Sequence, residues 1–207
     1  DWPYKTRAGL GGSAAWDILN GNDGIKSELD LGVGWQDGAV IKETGLCVWK
    51  SGNSPELEIK TLGNPLRNKM ALLYTGYQHD TPNIANKSRD YERISKASNV
   101  ARIGVINNSL ELLSIATNIS YEVQLDEGME PLPENDDAIA KKYCGGGFGG
   151  YALYLFNDSS KRDKFLLEED IKHCTNMTRA EGSPNVFCNG IPVSRQGDKN
   201  TPHFAPG

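Results

Sequence analysis

Two glycine-rich stretches carry the clearest chemical potential in the chain. The first is Gly9-Leu10-Gly11-Gly12-Ser13-Ala14-Ala15. Glycines let the backbone approach a bulky anion and adopt positive φ. The small Ser-Ala-Ala that follows suits the start of a helix, whose unpaired N–H groups and positive dipole end favour a phosphate. The Ser13 hydroxyl adds a donor to a phosphate oxygen or a ligand to Mg²⁺. The second stretch, Gly145-Gly146-Gly147-Phe148-Gly149-Gly150, runs directly into the apolar Tyr151-Ala152-Leu153-Tyr154-Leu155-Phe156. Between them lies Gly32-Val33-Gly34-Trp35-Gln36-Asp37. An aspartate just past a Gly-x-Gly turn either caps the helix expected over Gly38–Lys42 or presents a carboxylate to a substrate. Glu28 and Asp30, on the helix-like stretch before it, read as solvated surface.

Both glycine stretches have dinucleotide-fingerprint spacing, Gly9-x-Gly11-x-x-Ala14 and Gly145-x-Gly147-x-x-Gly150. That fingerprint must follow a buried strand and open a helix. Polar Asp1–Ala8 does not read as such a strand, and the second stretch opens a strand. No Gly-Lys-Ser/Thr occurs, so a conventional P-loop is excluded.

The elements that must position these residues belong to a chain of 207 residues, 38% hydrophobic and 24% charged, with net charge −5 and mean hydropathy −0.51. A chain of this length buries roughly 70% of its unfolded surface and folds without disulfides or metal. The acidic balance argues against a nucleic-acid or membrane-surface binder. No apolar run approaches the roughly 18 residues of a membrane span, and no signal-peptide pattern opens the chain. The first residue, Asp1, points to a processed chain or to one that starts partway through a longer protein. Cys47, Cys144, Cys174 and Cys188 contain no CxxC pair, and the three histidines lack zinc-site spacing. Reduced thiols in a cytosolic protein are expected, with a Cys174–Cys188 bridge as the alternative. The Asn-x-Ser/Thr sequons at Asn86, Asn107, Asn118, Asn157 and Asn176 read as chance occurrences in a polar chain.

Short helices are expected around Ser13–Leu19 and Ile25–Leu31. Leu46–Lys50 and Leu57–Leu62 alternate around Ser51-Gly52-Asn53-Ser54-Pro55, which predicts a β-hairpin. Lys69–Tyr77 contains the apolar run of a buried strand. Residues 83–126 predict two helices, from the spacing of Ile84, Tyr91, Ile94, Ala97, Ala101 and Val105 and from a stripe of Leu112, Leu113, Ala116 and Ile119. Asn108 and Glu111 are expected to cap the second. A short Asp136–Tyr143 helix, a buried Tyr151–Phe156 strand and an amphipathic Ser160–Cys174 helix complete the pattern. The last thirty residues lack periodicity and predict an irregular tail. Such an order suits a two-layer α+β domain better than a doubly wound parallel sheet.

Taken in order, GLGGSAA, GWQD, YTG and CGGGFGGYALYLF resemble the GHMP small-molecule kinases, nearest to their sugar-kinase branch of galactokinase-, fucokinase- and heptose-kinase-like enzymes. The resemblance covers roughly residues 7 to 157. It implies an α+β fold in which residues 1–65 are a remnant of the family's N-terminal domain, lacking its first motif. Residues 66–174 would form a ferredoxin-like two-layer C-terminal domain, and 175–207 a tail. It further implies phosphoryl transfer from ATP to a hydroxyl of a sugar or sugar phosphate, in the cytoplasm, with no nucleic-acid or membrane partner. Gly9, Leu10, Gly11, Gly12, Ser13 and Ala14 would wrap the ATP phosphates. Gly145, Gly146, Gly147, Phe148, Gly149 and Gly150 would close over phosphates and acceptor. Asp37 would be the base, and Ser13 with Glu28 would hold Mg²⁺. Two other readings are a catalytically inert nucleotide- or sugar-binding member of the same fold and a secreted glycoprotein domain.

Overall fold

The computed structural model describes residues 17–30, 34–76, 89–173, 187–188 and 191–192. The chain divides into two compact units, Thr6–Arg162, and Asp1–Lys5 with Asp163–Gly207. The fold is mixed α+β.

In the larger unit, helices α1 (Gly24–Asp30) and α2 (Gln36–Lys42) precede a hairpin of β1 (Leu46–Lys50) and β2 (Glu56–Thr61). Asp23 starts α1, its Oδ1 accepting from the Ile25 N–H at 3.0 Å. The hairpin is antiparallel as expected, with Leu46 opposite Thr61, Lys50 opposite Glu56 and an irregularity at Val48/Trp49. Then come β3 (Met70–Tyr74), α3 (Tyr91–Ile106), α4 (Leu110–Asp126), β4 (Ala138–Tyr143), β5 (Tyr151–Phe156) and α5 (Ser159–His173), which continues into the smaller unit.

Strands β3, β5 and β4 form one antiparallel sheet in that spatial order. Met70 pairs with Leu155 and Tyr74 with Tyr151 on one side of β5, and Tyr143 pairs with Ala152 on the other. Because β5 lies between them, β3 and β4 run parallel, joined by the α3–α4 pair: a split β-α-β arrangement. The central strand has the driest side chains, with Ala152, Tyr154 and Phe156 at 0% exposure and Leu155 at 1%. Ala97 and Val105 of α3, and Leu113, Ala116, Tyr121 and Val123 of α4, extend this core.

Three local expectations are corrected. Asp136–Tyr143 is not a helix, since Ala138–Tyr143 is strand β4. Ala-Ile-Ala-Lys-Lys-Tyr tolerates a helix locally, but its pairing with β5 decides otherwise. The β3 run is not fully buried: Met70 is 42% and Leu72 54% exposed, because β3 has only β5 as a described neighbour. The cap of α4 is Ser109, not Asn108. Ser109 Oγ accepts from the Leu112 N–H at 3.2 Å, while Asn108 takes a left-handed φ of 50° to turn the chain. Gly104, buried in α3, permits this tight helix pair, since a Cβ there would lie 3.1 Å from Leu112 Cβ and Leu113 Cγ.

Helix α4 also protects the outer edge of β4. Gln124 donates to the Tyr143 carbonyl at 3.1 Å and accepts from its N–H at 2.9 Å. Asn118 Nδ2 donates to the Ile139 carbonyl at 3.2 Å. These amides satisfy backbone groups that would otherwise template another strand. Asn118, one of the five sequon asparagines, is thus engaged inside the fold. Within the smaller unit, the described tail residues form a two-residue ladder, β6 (Phe187–Cys188) against β7 (Ile191–Pro192), where the sequence predicted irregular chain.

Candidate functional site

The site builds from two places in the larger unit. The first is the α1–α2 pair. Gly38, in the second of these helices, costs about 1 kcal/mol relative to alanine by propensity alone. Its packing explains the choice: a Cβ there would lie 2.8 Å from the Gly24 carbonyl carbon and the Ile25 nitrogen. This close approach brings Glu28 of α1 to the first turn of α2, where Glu28 Oε2 accepts from the Gly38 N–H at 3.4 Å. Glu28 is 5% exposed, so it is not the solvated surface group that its position suggested.

Asp37 is the neighbour of that contact. It occupies the first turn of α2 and is exposed. It is not the N-cap, which is Trp35, and Trp35 contributes no side-chain cap bond. A carboxylate in the first turn still gains from the helix dipole. Burial pushes the Glu28 carboxyl above its ordinary 4.5, the Gly38 N–H pulls it down, and the negative charge of Asp37 pushes it up again. The structure therefore places Glu28 and Asp37 as an electrostatically coupled pair, one carboxylate dry and one wet.

A raised carboxyl pKa has a defined stability consequence. Between 4.5 and its folded value, Glu28 holds more protons in the native state than in the unfolded chain, so stability falls as pH rises through that window. Glu28→Gln keeps an oxygen for the Gly38 N–H without the buried charge. Its melting temperature is expected to exceed that of the wild type at pH 7, with the advantage shrinking as pH drops to about 4. Melts across this range check it, and a Glu28→Gln advantage that grows toward acid pH would contradict the assignment.

The second place is the glycine loop joining β4 to β5. Gly147, Phe148, Gly149 and Gly150 have φ of 77°, 52°, 109° and 73°, and Gly145 has 56°. Four successive residues in the left-handed half of backbone space explain the composition, because L side chains resist it by roughly 1–2 kcal/mol each. At Gly147 a Cβ would also meet Met129 Sδ at 2.3 Å, so the Met129 side chain would have to move. At Gly145 nothing lies within 4 Å of a Cβ, so the loop faces open space there. The loop is anchored at both ends. Cys144 N–H donates to the Tyr151 carbonyl at 2.8 Å. The Gly150 carbonyl accepts from Thr75 twice, from its N–H at 2.9 Å and its Oγ1 at 3.0 Å. The Tyr74 and Tyr151 rings pack beside this tether with centroids 5.5 Å apart.

No family model matches the chain, and no curated protein does.

Of the residues expected to act, Asp37 and Glu28 meet through Gly38, and Gly145–Gly150 meets Tyr74-Thr75-Gly76. Gly9–Ala14, Ser13 included, lies outside the described residues. Among the described residues no cluster of three or more His, Cys, Asp or Glu side chains forms a metal cage, and no helix is long and apolar enough to cross a membrane. Cys47 and Cys144 are free thiols. Sequence reasoning missed the tether role of Thr75 and the packing role of Met129. The glycine inside the seven-residue helix α2 was a usable signal for close packing. Nothing local marked Met129.

Proposed function

We propose that the chain is an ATP-dependent kinase of the GHMP type, transferring the γ-phosphoryl group to a hydroxyl of a sugar or sugar phosphate. The observation that carries this reading is the conformation of the Gly145–Gly150 loop, four consecutive positive-φ residues pinned by Thr75 to the sheet. Such a loop presents backbone without side-chain bulk, which suits close approach of polyphosphate and acceptor. Further support comes from the β3-β5-β4 strand order, which matches three strands of a ferredoxin-like sheet, and from the coupled Glu28–Asp37 carboxylates.

In this reading Asp37 accepts the proton of the acceptor hydroxyl. The hydroxyl oxygen bonds to the γ-phosphorus while the bond to the β–γ bridging oxygen breaks, and ADP leaves with that electron pair. The Glu28 carboxylate suits a divalent cation, which would supply the countercharge that burial withholds and leave its second oxygen for coordination. Bound Mg²⁺ would neutralise phosphate charge. Gly9–Ala14 would wrap the ATP phosphates from the other side, within a domain made by residues 1–65, with 66–174 as the second domain and 175–207 as a tail. A cytoplasmic, sugar-metabolising role follows from the same reading.

The experiment is a thermal melt with and without Mg²⁺-ATP. At 100 times Kd, one-site binding adds about 2.7 kcal/mol, equal to roughly 5–10 °C for this size. A rise requiring both Mg²⁺ and ATP is expected, followed by transfer to a sugar acceptor. A rise without transfer to any acceptor would favour an inert binding member of the same fold. No rise would overturn the reading.

A further inference from the structure

Two adjacent lysines on β4 differ in a way that the kinase reading does not use. Lys141 is fully provided for by the protein. Its Nζ donates to the Leu132 carbonyl at 2.9 Å and the Pro133 carbonyl at 3.2 Å, and pairs with Glu134 at 2.7 Å. Lys142 points to the opposite face of the sheet, as alternation requires. There it lines a cleft of about 210 Å³ with Leu153 and Leu155 of β5. The facing walls come from α3 and α4 and are mostly small or apolar: Ala97, Ala101, Leu113 and Ala116.

Three hydroxyls also line the cleft, and each is already committed to its own helix. Ser98 donates to the Ile94 carbonyl at 3.0 Å, Thr117 to Leu113 at 2.8 Å and Ser120 to Ala116 at 3.1 Å. Among the described residues, no carboxylate lines the cleft and Lys142 has no ion-pair partner. Among the described lining residues the amine is therefore the one cation of a mostly apolar cleft, placed to meet an anion. Burial lowers the Lys142 pKa, as expected of an amine lacking a countercharge, with the Cys144 thiol pulling weakly the other way.

We infer that this cleft binds a small amphiphilic monocarboxylate, its carboxylate on Lys142 Nζ and its apolar chain against Ala97, Ala101, Leu113, Ala116 and Leu153. The complementarity is of charge and of surface: one cation at the end of an apolar slot matches one anion at the end of an apolar chain. The volume equals about seven waters at ~30 Å³ each, which suits a short acyl or aryl acid. The site is independent of the kinase assignment, since it needs neither nucleotide nor sugar.

The test is methyl NMR on the full chain, titrated with hexanoate and with hexanol as the neutral counterpart. Hexanoate is expected to shift the Leu113, Leu153 and Leu155 methyls saturably, with affinity roughly tenfold above hexanol, about 1.4 kcal/mol. In Lys142→Met, hexanoate should fall to the level of hexanol. In Ala101→Leu, which fills the cleft from its half-buried wall, both probes should lose the shifts. Equal affinity for the two probes in the wild type would overturn the inference. So would undiminished hexanoate binding in Lys142→Met, or methyl shifts that persist in Ala101→Leu. If Lys142→Met does not fold, the wild-type comparison and Ala101→Leu still decide.

Discussion

Asp37→Ala is expected to lower phosphoryl transfer by about 10²–10⁴-fold, the usual worth of a general base, while the Mg²⁺-ATP melting shift stays intact. The separation of effects follows from the surroundings of Asp37. It is exposed, stands in the first turn of α2 and accepts no hydrogen bond from the described residues. Its removal costs the fold only a dipole interaction of about 0.3–1 kcal/mol, offset by relief of its repulsion with Glu28. A loss of rate would thus report chemistry rather than unfolding. Asp37→Asn, which keeps the shape without the basicity, should lose as much. Initial rates with the best sugar acceptor, measured beside melts of each variant, are the check. A full-rate Asp37→Ala protein would remove Asp37 from the mechanism.

Tyr154→Ala is expected to cost about 3–5 kcal/mol of stability, the range for deleting a large aromatic side chain from a core. Tyr154 is 0% exposed at the middle of the central strand, flanked by Ala71 on β3 and Lys141 on β4. Its hydroxyl donates to the Pro133 carbonyl at 2.9 Å, which ties the 129–134 segment to the sheet. At 2–4 °C per kcal/mol for a chain of this size, the melting temperature should fall by roughly 6–20 °C. Tyr154→Phe should cost only about 1 kcal/mol, because Lys141 Nζ still donates to the same carbonyl. Denaturant melts of the pair separate the cavity from the hydrogen bond. Equal losses in the two variants would mean that the hydroxyl, not the ring, holds this core together.

Much of the fold was legible because it is local. The 3.6-residue stripes placed α3 and α4, and the alternation around the Ser51–Pro55 turn placed the β1–β2 hairpin. Unbroken Tyr151–Phe156 marked the strand buried on both faces. The errors lie where a distant partner decides. Ala138–Tyr143 is a strand only because β5 is beside it, and β3 is half exposed because its partner lies on one side.

The candidate site divides the same way. Composition and spacing by themselves determined that the chain is α+β, that glycines fill the turn before strand β5, and that Asp37 stands at the start of a short helix. Tertiary structure alone decided that Glu28 is dry and coupled to Asp37, that Thr75 anchors the glycine loop, and that Lys141 and Lys142 live in opposite environments. The reason is the range of the interactions. Dihedral preference and hydrophobic period act over a few residues and are written in each segment. Desolvation and charge coupling depend on which segments meet, and in this chain Gly38 against Gly24 and Gly150 against Thr75 set those meetings.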